Sequence, residues 1–423
     1  MRSWSCLVEV KTGTNPLTKD QVEAYLDLAK EQHLDAVLTI SNDITPAAGA
    51  HPVDIDRRKT KSVQLHHRSW AEVLSLAVMC RVHSGVSDAD QGWILGELIR
   101  YLEHPKSGAL DFQDMGQSWV PVREAVVAGT LRPTDRGIAE VVSRWEQLLR
   151  FAALRLEREL GTGVHTVTSR KEVVDPTLRL QTLRTDLVQR SVLAGAIRIP
   201  STVGDLSIEA DLCAGRVTVS VEIVAPADGR SLTRVNWLLR QLQDAPDHVR
   251  VDSYAHMART SMSELLKAVR EDPSLLVGDP KGEIRRFRVA AMSQLGTKRG
   301  VGRGTFIDSI LSAVDGFYAV VLQNVRPWAP KPPQMPKSGT AMEAAGVDVR
   351  LTPAEIDAIK TEDPSISVAS DRTIAAEGAE DLLPLPAPGT RVELASPLVS
   401  WDEQLEDLAD ERQLIPADAS PSP

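Results

Sequence analysis

Two neighbouring stretches, Cys6-Leu7-Val8-Glu9-Val10-Lys11 and Thr18-Lys19-Asp20-Gln21-Val22-Glu23-Ala24-Tyr25, decide how this chain is read. The first alternates as a strand. Cys6, Val8 and Val10 face one way, and Leu7, Glu9 and Lys11 the other, so a carboxylate and an ammonium two residues apart project together. Thr12-Gly13-Thr14-Asn15-Pro16 is a turn. Thr18 then caps a helix over 19–32 whose apolar stripe is Val22, Tyr25, Leu26 and Ala29. Gln21 and Tyr25, four residues apart, share a face of that helix. Outward from there come a buried strand over 36–40, a charge-rich connection around 51–61, a strand over 63–66, and helices over 70–82 and 91–102. The order is strand, helix, strand, strand, helix, helix.

A carboxylate and a lysine on one strand face suit metal-dependent phosphodiester chemistry. The carboxylate holds a divalent cation that activates water, and the lysine orients that water or stabilises the transition state. The E-x-K strand, the Gly-containing turn, the Q-x-x-x-Y helix and the apolar strand after it resemble the PD-(D/E)XK, restriction-endonuclease-like nuclease superfamily, in its RecB-type QxxxY branch. The resemblance covers about residues 5–80. It implies that Glu9 is a metal ligand for Mg²⁺ or Mn²⁺ and Lys11 the catalytic lysine. Gln21 and Tyr25 are then accessory residues that position nucleic acid or active-site groups. The family completes its metal site with an Asp on a preceding strand, whereas here eight residues precede Glu9 and none is Asp or Glu. The expectation is therefore a partial module: a fragment or remnant of a metal-dependent nuclease acting on DNA. As written it binds no metal tightly and is inactive, and it is a phosphodiesterase only with an extended N-terminus.

Other candidates read more simply. Asp54, Asp56 and Lys59 lie in a connection with Pro52 and suit a charged hairpin. His66 and His67 are adjacent on a strand, so they point to opposite faces and do not share a metal. His51 has no partner at ligand spacing. Glu209 and Asp211 share a strand face without a third ligand. Gly296-Thr297-Lys298-Arg299-Gly300-Val301-Gly302-Arg303-Gly304-Thr305 is a basic, Gly-rich loop before a helix, where Lys298, Arg299 and Arg303 are candidate phosphate contacts. It lacks the Walker order. Arg286 and Arg288 project from one face of the preceding strand, with Phe287 on the other.

The chain of 423 residues carries a net charge of −10, unevenly spread. Residues 331–423 hold 7 basic and 18 acidic residues, which leaves 41 basic and 40 acidic in 1–330. The acidity belongs to the tail, and the neutral body has room for local basic patches. Three distant cysteines, Cys6, Cys80 and Cys213, fit reduced thiols. With no unbroken apolar run of membrane length and no secretory signal at the start, the reading is cytoplasmic, without a membrane partner.

The expected organisation is a partial restriction-endonuclease-like α/β module over 1–104, an irregular linker over 105–135, an α+β domain over 136–328 and a disordered, Pro-rich acidic tail over 329–423. Within the α+β domain the pattern predicts a long helix over 136–160 and strands over 196–200, 206–211, 216–224, 249–254, 287–292 and 319–325. It predicts helices over 233–242, 261–269 and 305–315, and a short tail helix over 401–411. The alternative reading is a non-catalytic protein that binds nucleic acid or a protein partner through 136–328, with the 285–303 region as its basic surface.

Overall fold

In the computed structural model the described residues are 4–45, 49–109, 111–256, 260–278 and 282–330. Apart from residues 329 and 330, the expected acidic tail and its helix over 401–411 lie outside them.

The first layer is a three-stranded parallel sheet in the order β1-β2-β3, from β1 (Cys6–Val10), β2 (Ala36–Ser41) and β3 (Gln64–Ser69). Parallel neighbours need a crossover, which α1 (Lys19–Glu31) supplies between β1 and β2. Thr18 has extended backbone, and its hydroxyl accepts the Gln21 amide at 3.4 Å. Val22, Leu26 and Ala29 of α1 are buried in a cluster with Leu17, Val37 and Val63, and Leu7 and Leu65 pack against it. Leu7, Val37 and Leu65 are register partners across the sheet, so this is the face that α1 covers. The opposite face carries Val8 and Val10, 51% and 47% exposed.

After β3 come α2 (Trp70–Val78), extended through a π-helical turn at Met79–Ser84, and α3 (Ala89–Glu103). The segment expected to be irregular over 105–135 contains a helix, α4 (Trp119–Val127), with Trp119, Val122 and Val126 buried. Its prolines and glycines flank that helix except for Pro121, which sits in the first turn, where proline is tolerated. Next is the long α5 (Gly137–Leu160), whose Ile138, Val141, Trp145, Leu148, Leu149 and Leu156 face the main core.

The second layer is a seven-stranded sheet in the order β4-β5-β6-β7-β10-β8-β9, antiparallel at every pairing. Its elements in chain order are β4 (His165–Thr166), α6 (Arg170–Val174), α7 (Pro176–Arg190), β5 (Val192–Arg198), β6 (Leu206–Asp211), β7 (Arg216–Val224), α8 (Ser231–Gln241), β8 (Arg250–Ala255), β9 (Met262–Leu265), α9 (Leu266–Glu271), β10 (Ile284–Gln294) and α10 (Phe306–Val320). Helix α5 crosses the sheet at Gly195, where an added Cβ would strike the Leu149 side chain. The Trp145 indole donates to the Ala194 carbonyl at 3.0 Å beside it.

Two expectations fail here, and two helices had no expectation at all. The run over 319–325 is not a strand, because α10 continues to Val320 and a 3₁₀ turn follows at Leu322–Asn324. A short apolar run does not separate the two by periodicity alone. The segment 261–269 divides into strand β9 and helix α9, so only its second half is helical. Helices α6 and α7 went unread: α7 buries only Leu183 and Leu187 among many polar residues, although Asp175 before Pro176 is a fair start signal.

The stretch Phe306–Asn324 is, among the described residues, the one helical segment long and apolar enough by composition to cross a membrane. Its Phe306, Ile307, Ile310, Val314 and Phe317 lie in the main core.

The described residues all fall in one compact unit. The first layer is tied into it at α2, where Glu72, 7% exposed, accepts from Arg150 of α5 at 3.1 Å. Mixed α/β character, parallel first and antiparallel after, therefore holds for the described residues.

Candidate functional site

The register Glu9–Thr39–His67 runs straight across β1, β2 and β3, and the next row on the same face is Ser41 and Ser69 beside Lys11. These rows lie at the carboxyl ends of parallel strands, where open α/β sheets bind ligands. Deeper in the same face the residues are the apolar Leu7, Val37 and Leu65, so the change from apolar to polar along each strand sets where the core stops and a site begins.

Four residues singled out from sequence meet here. The Lys11 ammonium lies 3.0 Å from the Glu9 carboxylate. The Gln21 side-chain amide, reaching down from α1, donates to the same carboxylate oxygen at 2.9 Å. It also donates to the Tyr25 hydroxyl at 3.4 Å, one turn along the helix. The Trp70 indole donates to the Lys11 carbonyl at 2.8 Å and fixes the end of β1. Glu9 and Lys11 are 16% and 23% exposed, so the pair is shielded yet open at one side.

A divalent cation asks for several oxygen ligands. Glu9 offers one carboxylate that already accepts from Lys11 and Gln21. Among the described residues no group of three or more His, Cys, Asp or Glu side chains converges. The described residues do not make a complete Mg²⁺ or Mn²⁺ site.

A second polar array stands in the middle of the same sheet. The Thr39 hydroxyl lies 3.0 Å from Nε2 of His51 and 2.9 Å from Nδ1 of His67. His67 Nε2 is 2.8 Å from the Asp43 carbonyl, and His51 Nδ1 is 3.1 Å from both the amide and the carbonyl of Val53. Burial holds both imidazoles below the usual histidine range; the Asp43 backbone contact works against this at His67, and the Val53 contact at His51. Sequence spacing gave His51 no partner. The parallel register and the folding back of the 51–53 segment supply two, and neither is visible in a linear pattern. His66 and His67 do take opposite faces, exposed and buried.

The remaining candidates sit elsewhere. Lys59 pairs with Asp27 at 2.6 Å and Glu23 at 3.8 Å on α1 rather than with Asp54 or Asp56. Asp211 pairs with Arg216, and Glu209 lies 3.9 Å from Arg190. In the Gly-rich loop Arg299 is held by Asp114 at 3.3 Å. Thr305 caps α10 by accepting from the Asp308 amide, and Asp308 adds a carboxylate to that helix end. Arg303 lines a recess of about 610 Å³ with Thr305, Asp308 and Ser312, and Lys298 pairs with Thr305 through the backbone. Gly296 is required there, because a Cβ would collide with the Thr305 carbonyl. Arg286 pairs with Glu222 at 3.1 Å and stacks on Tyr254; Phe287 is fully buried behind them.

No protein-family model, curated protein sequence or solved structure matches this chain.

Proposed function

We propose that the Glu9–Lys11–Gln21–Tyr25 cluster is the phosphate-facing half of a PD-(D/E)XK-type nuclease site, and that the chain is a fragment or remnant of a metal-dependent nuclease acting on DNA. The observation that carries this reading is the single Gln21 amide, which joins Glu9 on the strand to Tyr25 on the helix while Lys11 pairs with the same carboxylate. Four motif residues from two elements thus share one network at the carboxyl edge of a parallel sheet. In this reading Lys11 presents its charge to a phosphate oxygen, Glu9 orients the ammonium, Gln21 positions Glu9 and Tyr25, and the Tyr25 hydroxyl offers a hydrogen bond to the backbone. Without a complete ligand set among the described residues, binding outlasts cleavage.

The test is DNA binding in chelator and DNA cleavage with Mg²⁺ or Mn²⁺. Both are measured on this chain, on one carrying any in-frame upstream residues, and on the Lys11→Ala form of each. The expected result is that this chain binds without cutting, that the longer form cuts, and that Lys11→Ala weakens the first and abolishes the second. Unchanged binding in Lys11→Ala, together with no cleavage by a folded longer form, refutes the proposal.

A second reading rests on the outer face of the seven-stranded sheet. Arg216, Arg250 and Arg288 surround a concavity of about 260 Å³ floored by Thr218 and Ala290. That face suits a protein or nucleic-acid partner for the 136–328 region. Its arginines are largely neutralised by Asp211 and Asp252, which ranks it second.

A further inference from the structure

The array at Thr39 has a direction that its chemistry fixes. His67 Nε2 faces the Asp43 carbonyl, which only accepts, so Nε2 carries the proton. A neutral His67 then has a bare Nδ1, which takes the Thr39 hydroxyl proton at 2.9 Å. The Thr39 oxygen is left to accept, and His51 Nε2 donates to it at 3.0 Å. His51 Nδ1 is then bare and accepts the Val53 amide at 3.1 Å. The hydroxyl also lies 3.4 Å from the His66 carbonyl, a longer contact than either ring. Each ring nitrogen and the Thr39 hydroxyl thus has a partner of the opposite role, with each tautomer set by its neighbour, while the Val53 carbonyl, 3.1 Å from the bare His51 Nδ1, faces a second acceptor.

Adding one proton to His67 Nδ1 breaks this order. Nδ1 now donates, which frees the Thr39 hydroxyl proton for His51 Nε2 at 3.0 Å, the nearer alternative to the His66 carbonyl at 3.4 Å. His51 must release its Nε2 proton and carry one on Nδ1 instead. The Val53 carbonyl lies 3.1 Å from that nitrogen and accepts it, while the Val53 amide loses its acceptor. His51 is therefore placed to serve both states, and it can do so because both backbone groups of Val53 face one ring nitrogen.

We propose that Thr39, His51 and His67 form a single-proton switch. Its neutral state fastens the His51–Val53 segment to the centre of the β1-β2-β3 sheet, and its protonated state reverses the hydrogen bonds from His67 Nδ1 to Val53. The proposal does not depend on the nuclease reading. The charged groups around it are few. His67 faces Asp43 from the segment after β2, Glu72 from α2 and Arg68 from its own strand. His51 faces Asp43 and His67, and it stands in a recess of about 370 Å³ with Glu140 and Arg144 of α5. Glu140 is committed to the Ser118 hydroxyl and the Gln117 and Ser118 amides, and Glu72 to Arg150. From β1, Glu9 is the register partner of Thr39 and pairs with Lys11. Burial favours the neutral rings. Their contribution to stability is therefore complete above the unfolded histidine value near 6.5, and it is lost as pH falls through the lower folded values.

The test is ¹⁵N NMR of the full chain between pH 7.5 and 5. The expected result is that both rings carry the proton on Nε2 at pH 7.5, and that His51 moves to the Nδ1–H tautomer in step with protonation of His67. Exchange of the Val53 amide, corrected for its intrinsic pH dependence, should rise at least tenfold over the same range. Thr39→Val should abolish the coupling between the two rings, and Thr39→Ser should restore it. A His67 that carries its proton on Nδ1 at pH 7.5, two rings that titrate independently in the wild type, or Val53 exchange that stays flat overturns the switch. Because the tautomers are read in the unmodified chain, the proposal stays refutable even if Thr39→Val does not fold.

Discussion

Removing Arg150 tests whether the first layer is held by one buried ion pair. Arg150 and Glu72 are 13% and 9% exposed in their side chains, and their contact at 3.1 Å joins α5 to α2. Glu72 also accepts the Ser69 amide at 3.1 Å and closes the capping box at the start of α2. The next residue, Trp70, holds the Lys11 carbonyl. A run of contacts thus leads from α5 to the end of β1. Breaking one side of a buried pair costs about 3–5 kcal/mol, because the other charge stays buried. Glu72 keeps its Ser69 contact, so Arg150→Met should fall near the low end, at about 3 kcal/mol. If the opening is local, that is roughly a hundredfold faster exchange of the Trp70 indole proton. Glu72→Gln preserves the cap and removes the charge, so the double variant should be more stable than Arg150→Met alone. The assay is urea unfolding of the four members of the cycle, with Trp70 exchange read alongside. A coupling below about 0.5 kcal/mol would refute the reasoning and make the pair incidental to docking.

Three further outcomes are expected. Gly195→Ala drives a methyl into Leu149 where α5 crosses β5, and should cost about 1–3 kcal/mol in chemical unfolding; a neutral result would mean that α5 shifts freely over the sheet. Thr18→Ala removes a long, weak cap bond at 3.4 Å, so its cost in thermal unfolding should be only about 0.5–1 kcal/mol, and a loss above about 2 would mean that Thr18 does more than cap α1. On the proposed phosphate-facing role, Glu9→Gln frees Lys11 from its neutralising partner and should tighten DNA binding in chelator, whereas Lys11→Gln should weaken it and flatten the salt dependence of log K by about 0.9 for one lost phosphate contact. If both substitutions shift affinity the same way, the charge argument fails.

What was legible in the sequence was whatever depends on neighbours along the chain. The faces of β1 and α1 follow from periods of two and 3.6, which pair Glu9 with Lys11 and Gln21 with Tyr25; that the two pairs belong together was only what the family resemblance implied. The limits of β6 and β7 were legible for the same reason, since alternation there is unbroken from Leu206 to Asp211 and from Arg216 to Ile223. The His51–Thr39–His67 array was not legible, because it exists only through a parallel register that pairs residue 39 with residue 67 across a crossover. Helix α7 was missed because a helix that buries two leucines carries too faint a stripe to stand out from polar coil. The failure over 319–325 has another cause, since Ala319 and Val320 are apolar yet exposed at the end of α10, so the apolar run there does not mark a buried strand. The same physics governs the site. A strand changes from Leu7 to Glu9 without leaving its face, and that substitution of a carboxylate for an apolar side chain ends the core under α1. Past that point the sheet can only satisfy its side chains with one another or with a ligand. The two side-chain N–H groups of Gln21 are committed to Glu9 and Tyr25, which leaves the Lys11 ammonium and the Tyr25 hydroxyl proton as the donors of this cluster with capacity for a phosphate.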